Sequence, residues 1–553
     1  MNEAPEVFDY IITGAGSAGC VLANRLSESG QHRVLLLEAG GEDTNPWIHI
    51  PLGYARTFCD ARVNWMFDSE PEPNLHNRIM YQPRGKVLGG TSSINGMIYM
   101  RGNHRDYDEW RQRGCEGWDW NSVLPYFRHA EDNESGANEY HGVGGPLRVS
   151  NQPYEWEIAK VLLQACVEAG IKRNPDFNGA EQEGCGYYQT TTKDRRRCST
   201  AAGYLRAARN RPNLVVRTRA HATRVLIENG RASGVAFHSP RGTEIARTRG
   251  EVVVSGGVYG SPQLLMLSGI GPAQHLQDMG VTVVHDLPGV GSNLQDHFNT
   301  YCTWRISKSI TLNELHRSVP RKIWATMQYA LYRGGPMSGN GLYVGAFVRS
   351  DPRLEQPDLQ LNMFAWSTIE RTRNGIVSHP FPGFSISPVH LRPEGRGTVR
   401  LKNPDPFAPP EIRFNFLRTN YDMQAVVTGM RIARQIAGQR ALQSLIVEET
   451  SPGPGVNTDE QLAEDVRRRG VSNLHPVGTC GMGTGSTAVV DSRLRVHGID
   501  GLRVVDASIM PTIIAGNTNA PTIMIAEKAS DMIGEDARTR SAHQRPTHIA
   551  AAA

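Results

Sequence analysis

Two places in the sequence bring together residue types that can do chemistry. The first is Gly14-Ala15-Gly16-Ser17-Ala18-Gly19, a G-x-G-x-x-G run. The first glycine allows a tight turn, the second lets backbone approach a pyrophosphate, and the third lets a helix and a strand pack closely. N–H groups at the start of the helix then attract the negative charge. Glu38 stands 19 residues after Gly19, where a carboxylate can accept both hydrogen bonds of an adenosine ribose and disfavours a 2′-phosphate. The motif predicts a bound dinucleotide and argues against NADP, leaving FAD and NAD open. The second place is His475-Pro476. A neutral imidazole titrates near physiological pH and can take the proton of an alcohol, and the proline restricts the backbone before it. The chain has 18 histidines, so residue type alone does not single this one out.

These residues need elements to hold them. Phe8–Thr13 is a short apolar run with β-branched residues, Cys20–Leu26 has helical spacing, and Arg33–Glu38 suits a strand covered on both faces. Strand, helix and strand within about 30 residues predict a parallel βαβ unit around the glycines. Further along, residues 155–170 read as a helix and residues 213–217, 223–228 and 233–238 as strands, the last two joined by the hairpin turn Asn229-Gly230. Residues 251–255 form another buried-strand pattern. Alternating stretches at 384–390 and 397–401 favour an antiparallel sheet. Residues 502–506 read as a strand and 521–533 as a helix. The polar, then alanine-rich tail, 536–553, is expected to be disordered.

Composition removes several classes of function. The chain has 553 residues, 39% hydrophobic and 21% charged, with 59 basic against 55 acidic residues for a net charge of +4. This is a globular composition with no charge bias toward nucleic acid. No stretch approaches 18 uncharged apolar residues, so no spanning helix is expected, and the acidic N-terminus is unlike a secretory signal. The eight cysteines show no CxxC and no metal-ligand spacing, which predicts reduced thiols, no metal site and a cytoplasmic location.

Four motifs in order resemble the glucose–methanol–choline (GMC) oxidoreductase family of FAD enzymes over about residues 7–535. They are Asp9–Gly19 with Glu38, Arg84–Gly96, Gly256–Pro272, and the C-terminal text with His475–Thr479, Asp506-Ala507-Ser508 and Asn517–Thr522. The resemblance implies an α/β fold, a Rossmann-type FAD-binding domain with an inserted α+β substrate domain built on an antiparallel sheet. The expected FAD-binding domain comprises residues 1–155, 200–300 and 476–535, and the substrate domain residues 156–199 and 301–475. The resemblance also assigns Gly14, Gly16, Ser17, Ala18, Gly19, Glu38, Ala39, Val87, Gly90, Asn95, Gly96, Met97, Ile98, Val225, Asp506, Ala507, Asn517 and Thr518 to the cofactor. Some relatives attach FAD through a histidine just before the asparagine of the Ser-Ser-x-Asn run. Ile94 stands there in this chain, so FAD is expected to be held non-covalently.

In the family a histidine, followed some forty residues on by His or Asn, faces the flavin. The matching pair is read as His475, the general base, and Asn519, 44 residues later, which orients the substrate oxygen. His297 is a weaker candidate for a flavin contact. The expected reaction is oxidation of a primary alcohol to the aldehyde, with electrons passed to a quinone-type or other acceptor. Choline dehydrogenase, an O₂-using alcohol oxidase and an FAD-containing hydroxynitrile lyase are the alternatives. Trp65 is a candidate wall for the substrate. Tyr343 occupies a position where choline-specific relatives are expected to carry a carboxylate, which favours an uncharged alcohol. Loose membrane association fits a quinone acceptor, but no amphipathic anchor is read from the sequence.

Overall fold

The computed structural model describes residues 6–543. Strand β1 (Val7–Thr13), helix α1 (Ser17–Ser27) and strand β2 (Val34–Glu38) form the expected βαβ unit. Every residue of β2 is buried, as its unbroken apolar run requires of a strand covered on both faces. The first sheet continues with β3 (Leu214–Thr218), β4 (His221–Glu228), β5 (Arg231–Ser239) and β6 (Gly242–Val254). Its order is β3-β2-β1-β6-β5-β4. The half containing β3, β2, β1 and the end of β6 is parallel, whereas β4, β5 and the start of β6 form an antiparallel meander. The turn between β4 and β5 has Asn229 at φ 50° and Gly230 at φ 74°, the left-handed pair that a tight hairpin needs.

Helix α2 (Gly257–Leu267) follows β6, and strand β7 (Leu502–Val504) runs parallel to the end of β6. Helix α3 (Asn519–His543) then crosses back onto α1. The two helices are tied by Arg25, which pairs with Glu527 and with Asp531, the latter at 2.7 Å. This return brings residues 517–519 to the glycine cradle. Helix α3 also corrects one expectation: residues 536–543 continue it, with Asp536 accepting from Arg503 at 2.6 Å. The rest of that predicted tail, 544–553, lies outside the described residues.

The second sheet is antiparallel, as expected, in the order Ile446–Ser451, Cys302–Ile306, Gly383–His390, Leu359–Phe364, Leu342–Val348, Gly184–Tyr187. The short strand Phe298–Asn299 pairs with both Gly383–His390 and Val471–Ser472. That pairing places Asp296 and His297 beside the segment that leads to His475. Among the described residues no helix is long and apolar enough to cross a membrane.

Candidate active site

A cavity of about 1630 Å³ is lined by both sheets. One part of its wall is the cradle: Gly14, Gly16, Ser17 and Ala18 after β1, with Glu38 and Ala39 at the end of β2. Gly14 has φ +98°, open to glycine and strained for other residues. Gly19 does not reach the cavity. A β-carbon there would lie 1.9 Å from the Gly14 carbonyl oxygen, so its absence lets α1 close onto the turn. Glu38 accepts from Ala15 N–H at 2.9 Å and Gly40 N–H at 2.8 Å. Burial pushes its pKa up to about 7.

A second part of the wall is Gly90, Asn95, Gly96, Met97 and Ile98. Asn95 accepts from the Met97 N–H at 3.0 Å and from Arg197 at 2.8 Å, holding Met97 at φ 64°, a conformation that costs strain unless neighbours impose it. Asp506 joins β7 to α2 by accepting from Gly257 N–H at 2.8 Å and Ser261 hydroxyl at 2.6 Å. Ser261 lies inside α2, four residues after its first residue, Gly257. Ala507, Asn517 and Thr518 also line the cavity.

His475 opens onto the same cavity. Its loop is fixed from several sides. The His475 N–H donates to Asp296 at 2.7 Å, and Asp296 also receives the Ser472 hydroxyl. Leu474, at φ 66°, has its carbonyl held by Arg84 at 2.9 Å. Burial raises Asp296 to about 7. The His475 ring is placed by three side chains: Asn517 Nδ2 lies 2.9 Å from Nε2, and His297 Nδ1 and Asn473 Nδ2 lie 3.1 and 3.3 Å from Nδ1. Burial first, and the nearby Arg84 charge second, lower the His475 pKa to about 3. The imidazole is thus neutral across the physiological range, and Nε2 faces the Asn517 amide, which a substrate hydroxyl must displace from it.

Several expectations are corrected by this geometry. Asn519 does not meet His475: its Oδ1 accepts from the Ser17 hydroxyl at 2.8 Å, on the cradle side, because it begins α3. Asn517, two residues earlier and assigned to the cofactor, is the partner of His475. His297 lies behind His475, fully buried and off the wall. Val87 and Val225 are also off the wall. Val87 packs with Ile48, Val63 and Ile94, and Val225 sits in the main core, so Ala220, His221 and Ala222 at the start of β4 line the cavity instead. Tyr343 is buried in the second sheet away from the cavity, and its identity carries no weight for the substrate. Trp65 is on the wall, but Lys86 Nζ stands 4.4 Å over its ring and His221 meets its edge. Its cation-binding face is therefore taken, and it belongs with His221 rather than with His475. Arg84 and Asn473 were not assigned a role from sequence: Arg84, at the head of the Arg84–Gly96 motif, reaches Leu474 from a distant segment, and Asn473 stands two residues before His475 on the same loop.

The wall fits FAD. Backbone is bare at Gly16 and Gly96, where nothing stands within 4 Å of a β-carbon position. Thr13 Oγ1 and Asn517 Oδ1 are buried atoms on or behind that wall without a partner. A glycine cradle, a buried carboxylate and a neutral imidazole facing one cavity define a dinucleotide-dependent oxidoreductase. Family profiles described as GMC oxidoreductase match residues 8–299 and 393–526. The chain is similar to an alcohol dehydrogenase [acceptor] of Pseudomonas putida, 42% identical over 95% of this chain and 96% of that protein. An oxygen-dependent choline dehydrogenase of Rhizobium etli is 41% identical over 97% of each. Among solved structures, pyridoxine 4-oxidase from Mesorbium loti has a TM-score of 0.86 at 29% identity, covering 95% of this chain and 99% of that one. Formate oxidase has a TM-score of 0.90 at 26% identity, covering 97% and 100%. The chain belongs to the GMC oxidoreductase family. It is an FAD-dependent enzyme acting on CH–OH donors.

Proposed function

We propose that the protein oxidises an uncharged primary alcohol to the aldehyde and that His475 and Asn517 carry out the proton chemistry. The supporting observation is the 2.9 Å contact between Asn517 Nδ2 and His475 Nε2 at the cavity wall. FAD, when bound, supplies the acceptor for the hydride. His475 Nε2 takes the hydroxyl proton, and the Asn517 amide donates to the substrate oxygen as charge builds on it. For Nε2 to accept, the ring proton must sit on Nδ1, where His297 Nδ1, 3.1 Å away, can accept it. Ile94, on the wall beside Asn95, has no nucleophilic atom, which supports non-covalent FAD.

The charges of the wall favour a neutral substrate over choline. Arg84 stands close enough to His475 to lower its pKa, an environment that repels an ammonium group. Several wall carboxylates are engaged, Asp68 with Arg373, Glu70 with Lys402, and Asp506 with Gly257 and Ser261, whereas Glu370 stands exposed at the same wall. Electrons leave to a quinone-type or other carrier, as the likeness to an acceptor-linked alcohol dehydrogenase supports. The test is anaerobic mixing of the FAD-loaded enzyme with aliphatic and aromatic primary alcohols and with choline, followed by a quinone dye or air. Bleaching of the oxidised flavin by neutral alcohols and re-oxidation by the dye are expected. His475→Ala should keep its FAD and lose bleaching by about 100-fold or more. Bleaching by choline alone would overturn the substrate assignment.

A further inference from the structure

The helix Val319–Tyr332 is built inside out. Only Ala325 is buried along its length. Val319, Ile323, Trp324, Met327, Leu331 and Tyr332 are exposed, Trp324 at 61%, Leu331 at 66% and Tyr332 at 75%. With about 100° per residue, Val319, Ile323, Met327, Leu331 and Trp324 share one face, opposite the line of Ala325 and Tyr329 that touches the protein. A surface helix ordinarily turns its apolar stripe inward, and a contiguous apolar patch in water marks a docking surface. No amphipathic anchor is read from the sequence; the structure shows an exposed apolar helix face there.

The charges around this face are predominantly positive. The helix carries Arg321 and Lys322 on its flanks and no acidic residue, and Arg333 follows it. The hairpin holding Lys193, Arg195 and Arg196 lies against it, with the Tyr329 hydroxyl donating to the Arg195 carbonyl at 2.9 Å. Burial first, then the nearby Lys322 and Arg56 charges, lower the pKa of His316 at the preceding turn. The nearby Glu314 is already bound by Arg317 and Arg321, at 3.0 and 2.9 Å, which leaves Asp194 as the hairpin's own acid. Two copies docked face to face about a two-fold axis would set these cations against each other. An anionic lipid surface instead satisfies both features, taking the apolar side chains into the acyl boundary while Arg and Lys reach the headgroups.

We propose that the helix Val319–Tyr332, with the Lys193–Arg196 hairpin beside it, docks this enzyme on an anionic bilayer. The segment that follows the helix enters the cavity wall at Asn340 and Leu342, so docking sets the catalytic cavity near the lipid. The inference stands on surface chemistry and is independent of the reaction assigned to His475.

The experiment is flotation of the FAD-loaded full chain with phosphatidylcholine vesicles, with and without phosphatidylglycerol, at low and high salt. Wild type should float with the anionic vesicles and release as salt rises. The variant Ile323→Ser/Trp324→Ser/Leu331→Ser should lose partition by at least about tenfold, since each large apolar side chain contributes more than that. Quenching of tryptophan emission by brominated lipid should fall in Trp324→Phe. Dye-linked alcohol oxidation should be unchanged in these variants; if the triple variant loses it, the charge-reversal pair Lys322→Glu/Arg333→Glu replaces it in the flotation. No flotation of wild type, or equal flotation of wild type and variants, would overturn the proposal. So would a dimer that the triple variant dissolves in the absence of vesicles, which would assign the face to a second copy.

Discussion

Replacing Asn517 or Asn519 by Ala separates two side chains that stand two residues apart and do different work. Asn517 Nδ2 lies 2.9 Å from His475 Nε2, whereas Asn519 Oδ1 takes the Ser17 hydroxyl at 2.8 Å. In Asn517→Ala the substrate oxygen loses a donor just as charge builds on it. A hydrogen bond to a charged group contributes about 1.5–3 kcal/mol, so the bleaching rate should fall about 10- to 150-fold. In Asn519→Ala the lost bond is neutral and costs about 1 kcal/mol, a factor of about five at most if it reached the rate. Its loss should appear instead as weaker FAD retention or lower stability, because Ser17 belongs to the cradle. The assay is anaerobic stopped-flow reduction of the flavin at saturating alcohol, with FAD content measured on the same samples. Fast bleaching in Asn517→Ala combined with slow bleaching in Asn519→Ala would refute the reassignment.

Two further outcomes follow from the same geometry. A β-carbon at Gly19 would stand 1.9 Å from the Gly14 carbonyl oxygen. Gly19→Ala should therefore cost about 1–3 kcal/mol of stability and release FAD; a yellow variant with wild-type unfolding would show that α1 can shift freely. The second concerns acid. His475 has a folded pKa of about 3 against about 6.5 when unfolded, so between these values the unfolded chain binds the extra proton. Stability from this group is complete above pH ~6.5 and declines as pH falls toward 3, by up to about 1.4 kcal/mol per unit. Urea unfolding of the apo-protein should show that slope in the wild type and a correspondingly shallower one in His475→Asn. Identical pH dependence in the two would place His475 in water-like surroundings.

The dinucleotide half of the protein was legible because its signals are local. A glycine that must bring backbone close, an unbroken apolar strand and a carboxylate at the strand end lie within one short segment, so sequence order and spatial order nearly coincide. The antiparallel sheet and the Asn229-Gly230 hairpin were readable for the same reason. What surrounds His475 was set by tertiary structure. Asp296, Arg84 and Asn517 come from segments up to hundreds of residues apart, and no periodicity relates them. Asn517 and Asn519 have the same side chain in the same motif; only the point at which α3 begins turns one toward the imidazole and the other toward Ser17. The helix Val319–Tyr332 makes the same point: its amphipathic pattern is in the sequence, but only packing decided that the apolar side would face outward.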